Sequence, residues 1–235
     1  MNRIDEIFTA HPYYGTRRMM QVMLAEGYDL GQIRKYYQIM GLEEIYPKMN
    51  LSKRNQAHKV YPYLLRYFKV SRPGQVYSSD ITYIRLKQGF VYLVAVIDWD
   101  SRYVLSWKLS ISLESDFCVE ALTETINKYG KPEIFNTDQG MQYTSKSFTE
   151  VLQENGVAIS MDGRALDNIF IKHFWRSLKQ EKIYRIDLET VKEAKAAINE
   201  YMEFYNHERL HQSLVYKTPE SMHFLNVLKS GLKVA

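Results

Sequence analysis

The sequence has little cysteine and no long apolar run. Its 235 residues include a single cysteine, Cys118, so no internal disulfide framework can form, which favours a reducing compartment. No apolar stretch approaches the roughly 18 residues that a transmembrane helix needs, and residues 1–5 do not begin a signal peptide. We therefore expect a cytoplasmic protein.

Acidic side chains are missing from residues 45–79. The same stretch holds seven lysines and arginines, although the formal net charge of the whole chain is only +4. Uncompensated positive charge favours a polyanionic partner such as a phosphate backbone. A solvated basic linker would explain this composition equally well.

The spacing of apolar residues predicts a small helical unit at residues 1–45. Ile4, Ile7 and Phe8 recur at helical spacing, Thr16 is suited to cap a second helix, and a third helix at residues 30–40 should stop at Gly41. With its exposed cations, this unit could be a helix-turn-helix DNA-binding unit or a plain helical bundle.

Residues 46–73 contain three prolines and the basic run, and we interpret them as a linker. From residue 75 the pattern predicts three antiparallel strands, because "GFVYLVAVIDW" is a nearly unbroken apolar run that suits a strand buried on both faces. Helices are expected at residues 114–128 (capped by Ser112), 146–155, 165–180 and, last, 188–205, with strands in "EIFN" and "VAIS". The prediction is an α/β sheet layered by helices over residues 74–225, followed by a tail at 226–235.

Two aspartates stand at strand positions that suit a metal site. Asp80 falls inside the first strand, and Asp138 follows "EIFN" at its carboxyl end, with Gly140 allowing a tight turn. A buried carboxylate is costly unless it is paired or metal-bound, and Mg²⁺ prefers such oxygen ligands. A salt-bridged structural aspartate is the alternative for each.

The whole chain resembles the second-frame transposases of two-frame bacterial insertion elements, which have a retroviral-integrase-like core. The matching stretches follow family order, among them "HPYYGTRR", "DITYIRL", "GFVYLVAVIDW", "PEIFNTDQG", "RALDNIF", "FWRSLK" and "HQSLVYKTP". The resemblance implies a ribonuclease-H-like core, a mixed five-stranded sheet with flanking helices, preceded by a small helical helix-turn-helix-like domain. It also implies an Asp-Asp-Glu triad that binds two Mg²⁺ or Mn²⁺ ions, cleaves DNA at element ends and lets a 3′-hydroxyl attack a new phosphodiester. Asp80 and Asp138 match the first two members.

The third member of the triad is replaced. Where the family has glutamate, this chain has Lys172, and an ammonium group repels metal ions instead of coordinating them. Asp167 and Glu181 lie on other faces of the predicted helix, while Asp162 would need an unusual loop. Val215 is a milder departure, because the family usually has glycine there.

The resemblance and the charge pattern together predict contacts with double-stranded DNA at the terminal repeats. The basic residues expected to contribute are Arg17, Arg18, Lys53, Arg54, Lys59, Arg164, Arg176, Lys179 and Arg209. We expect a nucleoid-associated homo-oligomer in a bacterium, with association to an upstream-frame helix-turn-helix protein and no membrane partner.

Three hypotheses remain at this point. The chain is a DNA-binding transposase whose metal-dependent phosphoryl transfer is impaired by Lys172, and which then needs no cofactor. Alternatively, it is an active enzyme in which a substitute carboxylate completes the Mg²⁺ or Mn²⁺ site. The third is a non-catalytic assembly partner of an active transposase.

Overall fold

Helices form the first part of the chain. The computed structural model describes residues 2–12, 14–28, 31–42, 61–161 and 168–230, and for 226–230 the backbone alone. The chain divides into two compact units, residues 1–56 and 57–235. The first contains α1 (Asn2–Ala10), α2 (Thr16–Ala25) and α3 (Ile33–Met40), which bury one apolar side of each helix, namely Ile4, Ile7, Met19, Met23, Ile33 and Tyr37.

Two details of this unit differ from the sequence-based expectation, and one agrees with it. Thr16 is the first residue of α2 and not its cap; Gly15 occupies the N-cap position, and no side chain there accepts a hydrogen bond. The third helix was expected from residue 30 and begins at Ile33. Gly41 ends α3 with φ of 63°, a left-handed conformation that glycine adopts without strain.

A sheet of five strands organises the described part of the second unit. The strands are β1 (Val76–Arg85), β2 (Phe90–Asp98), β3 (Val104–Ser110), β4 (Ile134–Thr137) and β5 (Ala158–Met161), in the spatial order β3-β2-β1-β4-β5. The pairs β1–β2 and β2–β3 are antiparallel, whereas β1–β4 and β4–β5 are parallel. The predicted three-stranded antiparallel meander is thus confirmed, and so is the mixed five-stranded sheet that the family resemblance implied.

Helices cover both faces of this sheet. They are α4 (Asp116–Tyr129), α5 (Met141–Thr144), α6 (Lys146–Glu154), α7 (Ile169–Glu181), α8 (Val191–Glu203) and α9 (Pro219–Ser230). Side chains of α7 and α8 pack with Leu93, Ala95 and Ile97 of β2, while α4 and α6 pack with Val94 and Val96. The alternating side chains of β2 therefore enter two separate apolar clusters, which explains its unbroken apolar sequence.

Several helix boundaries differ from those predicted. Ser115, not Ser112, precedes α4. The short helix α5 was not predicted, and neither was α9, which follows the helix expected to be the last. The helix expected over 188–205 ends as an α-helix at Glu203 and continues as a π-helical turn, Phe204–Glu208.

Residues 61–73, part of the predicted linker, pack on the sheet. Leu65 is buried in a cluster with Val76 and Trp99, and the backbone N–H of Leu64 donates to Ser160 Oγ on β5 at 3.1 Å.

Within the described residues, no helix combines the length and apolarity needed to cross a membrane.

Candidate active site

The two candidate aspartates lie in register, Asp80 within β1 and Asp138 directly after the end of the neighbouring parallel strand β4. Ser78 of β1 pairs with Asn136 of β4, and Asp80 and Asp138 each follow that pair by two residues. Because side chains alternate along a strand with period two, the register brings both carboxylates to one end of the β1–β4 pair. The sequence placed Asp80 inside the first strand and Asp138 at the carboxyl end of "EIFN", and the register shows how these two positions come together.

Helix α7 contacts Asp80 through its buried tryptophan. Trp175 Nε1 donates to Asp80 Oδ2 at 3.2 Å. Burial raises the pKa of Asp80 to about 6, and the negative charge of Asp138 acts in the same direction. The backbone N–H of Ile81, the ammonium of Lys172 and the indole of Trp175 oppose that increase in pKa.

Asp138 is held by the turn that follows it. Its Oδ1 accepts the backbone N–H of Gly140 at 2.9 Å. A Cβ atom added at Gly140 would stand 2.9 Å from the same oxygen, closer than such contacts normally occur. Because glycine has no side chain, position 140 leaves room for the carboxylate of Asp138.

Lys172 stands on the helix face that contacts Asp80. It precedes Trp175 by three residues, a spacing that places side chains next to each other on a helix, and it is half-buried. In the part of the chain that the structure describes, no three His, Cys, Asp or Glu side chains are grouped to hold a metal ion. The site as described offers two carboxylates and a cation, which does not fit a centre that needs three carboxylates to bind two Mg²⁺ ions.

None of the three acids that the sequence offers as a substitute ligand is seen to complete the site. Asp162 and Asp167 lie outside the described residues. Glu181 binds Arg209 at 2.7 Å, so its carboxylate already has a cationic partner on the protein.

Comparison with known proteins identifies the family. Two models described as "Integrase core domain" match residues 70–165 and 155–219. The transposase for insertion sequence element IS904 of Lactococcus lactis is 31% identical over 95% of this chain and 93% of its own length. The putative transposase InsK for element IS150 of Escherichia coli is 30% identical over 92% of this chain and 80% of its own length. The chain belongs to the insertion-element transposases with an integrase core.

Solved integrase structures share the fold of this transposase-family chain. The catalytic core domain of HTLV-2 integrase in complex with magnesium superimposes with a TM-score of 0.51 at 20% identity, covering 65% of this chain and 97% of that one. The simian T-cell lymphotropic virus intasome chain gives a TM-score of 0.59 at 17% identity, covering 86% and 73%. Both likenesses concern the fold, and they confirm the predicted integrase-like core.

Ser79, which the sequence interpretation did not single out, joins three elements of the candidate site. Its hydroxyl is hydrogen-bonded to the phenol of Tyr143 at 2.9 Å, and its carbonyl accepts from Asn168 Nδ2 at 3.1 Å. Tyr143 lies on α5, shortly after Asp138, while Asn168 is the N-cap residue of α7. One residue adjacent to Asp80 therefore ties α5 and α7 to β1. The serine directly before Asp80, in the sequence "SSD", was the feature from which this role of Ser79 could have been suspected.

The predicted DNA-contacting residues are found in different settings. Arg17 and Arg18 of α2 lie at or near the surface, Arg176 of α7 is exposed, and Lys179 is half-buried. Arg209 binds Glu181, so its charge is compensated within the protein. The remaining predicted contacts, Lys53, Arg54, Lys59 and Arg164, lie outside the described residues.

Proposed function

We propose that this transposase-family protein binds the terminal repeats of an insertion element as a homo-oligomer and is impaired in metal-dependent phosphoryl transfer. Asp80 and Asp138 are the proposed remnants of the metal site, and Lys172 replaces the third ligand. The proposal includes association with an upstream-frame helix-turn-helix protein and a cytoplasmic, nucleoid-associated location.

The hydrogen bond from Trp175 to Asp80 supports this proposal most strongly. Lys172 shares the helix face of Trp175. Its ammonium group therefore competes with a metal ion for electrostatic attraction to the two carboxylates. Lysine has no free lone pair until it is deprotonated, and a fixed positive charge near the carboxylates opposes the entry of Mg²⁺. Protein ligands that hold Mg²⁺ are oxygen atoms, and lysine supplies none.

Relatives and neighbours support the DNA-directed part of the proposal. The similar proteins are transposases of insertion elements, and a solved neighbour is part of an intasome. The surface cations Arg17, Arg18 and Arg176 are the side chains that we propose to contact phosphate. The HTLV-2 core was solved with magnesium, which supports divalent-metal chemistry as the ancestral activity.

The test compares the wild-type chain with Lys172→Glu. Calorimetric titration with Mn²⁺ should give an affinity at least about ten-fold higher in the variant, since even a supporting residue of a metal site typically changes affinity by that factor. Lys192→Glu on α8 is the control, because it makes the same charge change at an exposed site. Nicking of a terminal-repeat duplex with Mg²⁺ or Mn²⁺ is measured in parallel.

Each outcome selects among the three hypotheses. Efficient nicking by the wild-type chain would refute the impairment and favour an active enzyme with a substitute carboxylate. Absence of salt-sensitive duplex binding would favour the third hypothesis, in which the chain is a non-catalytic assembly partner that makes only protein–protein contacts. Equal Mn²⁺ affinity of the wild-type chain and Lys172→Glu would show that residue 172 is not the third ligand position.

A further inference from the structure

A groove with exposed aromatic rings lies beside the C-terminal half of α7, the helix that contacts Asp80. It has a volume of about 680 Å³ and lies between β1, the start of β2, the end of α7 and the 3-10 helix Ile183–Arg185. Three large rings line it: Tyr83 is 54% exposed, Phe90 57% and Tyr184 73%. Single exposed apolar side chains are ordinary, but three rings around one groove form a patch of the kind that marks a binding surface.

The rings of the groove are supported by their neighbours. Tyr83 packs edge-on against Phe90 and Tyr92, with ring centroids 6.5 and 5.4 Å apart. These contacts follow from the β1–β2 register, in which Tyr83 faces Tyr92 and Arg85 faces Phe90. Tyr83 and Phe90 therefore form a prearranged platform, which lowers the entropy cost of binding.

The charges around the groove favour an anionic ligand. Arg85, Lys87 and Lys179 line it together with Asp187 and Glu189. Lys87 is paired with Glu189 at 2.6 Å, which leaves Arg85 and Lys179 against one carboxylate. Phosphate oxygens are strong acceptors for both kinds of cation, so a phosphate chain suits this side of the groove.

Lys179 links the groove to the helix that contacts Asp80, and the negative charge of Asp80 acts on its ammonium group. Lys179 follows Trp175, the residue bonded to Asp80, by one helical turn, and such pairs are about 5–6 Å apart. On the sheet side, Tyr83 follows Asp80 by three residues, roughly 10 Å along the strand, and its side chain faces the opposite side of the sheet. β4 pairs with β1 at Val76–Ser78 and does not extend beside Tyr83. A DNA strand entering at the aspartates would thus reach the rings by passing the edge of β1 that β4 leaves uncovered.

We propose that this groove binds a short unpaired stretch of DNA at the end of the substrate duplex, with its bases stacked on Tyr83, Phe90 and Tyr184 and its phosphates at Arg85 and Lys179. In a duplex the bases are stacked on each other, so only an unpaired strand offers free base faces to such rings. This inference rests on the proposed function, because it concerns the DNA that the candidate site engages.

The test measures binding of the full chain to a blunt duplex and to the same duplex with a single-stranded tail, by fluorescence anisotropy. The wild-type chain should bind the tailed duplex more tightly. Tyr83→Ala and Tyr184→Ala should each weaken tailed-duplex binding by about five-fold or more and leave blunt-duplex binding unchanged. Tyr83→Phe retains the ring and should bind like the wild type. Tyr67→Ala, an exposed tyrosine outside the groove, is the aromatic control.

Salt dependence provides an independent measurement of the phosphate contacts. Arg85→Gln should reduce the slope of log affinity against log salt by about 0.7 for the tailed duplex, the value for one phosphate contact to a single strand. Lys192→Gln should leave that slope unchanged. Asp187→Asn removes the uncompensated carboxylate and should tighten tailed-duplex binding.

The proposal is overturned if the tail adds no affinity, or if the ring variants weaken blunt and tailed duplexes equally. In both cases duplex binding would persist, so the proposed DNA-binding function would stand while the groove assignment fails. Loss of binding to both DNAs in the wild-type chain would overturn the proposed function as well. Circular dichroism of each variant confirms that the chain is folded.

Discussion

Replacing Asp80 by asparagine should stabilise the folded protein at neutral pH. Burial and the charge of Asp138 raise the pKa of Asp80 from 3.8 to about 6. At about 1.4 kcal/mol per pKa unit, the ionised carboxylate costs about 3 kcal/mol of folding free energy at pH 7. Asparagine is neutral and keeps an oxygen that can accept from Trp175, so Asp80→Asn should recover about 1–3 kcal/mol of that cost.

The stability gained by Asp80→Asn should depend on pH in a defined direction. Between the unfolded pKa of 3.8 and the folded pKa of about 6, the native state of the wild type binds more protons than the unfolded state. Its stability relative to the variant therefore falls as the pH rises through this window. Below about pH 4 both states carry a protonated carboxyl, and the difference between wild type and variant should vanish.

Urea unfolding at pH 4 and pH 7 measures this difference directly. Asp187→Asn is the control, since it removes an exposed aspartate and should change the free energy of unfolding by no more than about 0.5 kcal/mol at either pH. A variant that is equally stabilised at both values, or destabilised at pH 7, would refute the argument that burial and Asp138 destabilise the Asp80 carboxylate.

Three further substitutions examine the surroundings of the site and one strained turn. Tyr143→Phe removes the phenol bond to β1 and should lower the free energy of unfolding by about 1–2 kcal/mol in urea titrations; an unchanged value would show that the bond contributes nothing. Gly140→Ala keeps an allowed φ of −60° but pushes against Asp138, so in the Lys172→Glu background it should reduce Mn²⁺ affinity by about ten-fold, measured by calorimetry. Val215→Gly relieves a φ of 55° at an 81% exposed side chain and should stabilise the protein by about 1 kcal/mol in thermal unfolding; a lower melting temperature would contradict this.

The sequence predicted the strands better than the ends of the helices. The apolar run of β2 could be recognised because a strand buried on both faces has no polar alternation. By contrast, α9 is anchored by His223, which is buried and stacks on Tyr103 with ring centroids 5.0 Å apart. A histidine gives no apolar signal, so the spacing of apolar residues did not predict this helix. Ser112 and Ser115 are both suitable cap residues, and the sequence offered no basis for choosing between them.

The candidate site was predictable at its aspartates and less so in its supports. The sequence located Asp80 and Asp138 by their positions relative to the strands. The pairing register of β1 and β4 then brings the two residues together. Trp175 belongs to the family-like stretch "FWRSLK", and its hydrogen bond to Asp80 could not be anticipated from the sequence, because it depends on the rotation of α7 about its axis. Arg209 was predicted to contact DNA, whereas its bond to Glu181 joins residues 28 positions apart, a distance in sequence at which spacing carries no information.

Lys172 changes the stability of the metal-free fold. With glutamate at that position, three carboxylates would face one another, and like charges raise each other's pKa and destabilise the metal-free protein. Lys172 instead lowers the pKa of Asp80 through its positive charge, opposing burial and Asp138. The proposed replacement of the third metal ligand by Lys172 would therefore also make the metal-free fold less strained. A chain that binds DNA without metal would be favoured by this arrangement, because Lys172 offsets part of the negative charge that a bound cation would otherwise offset.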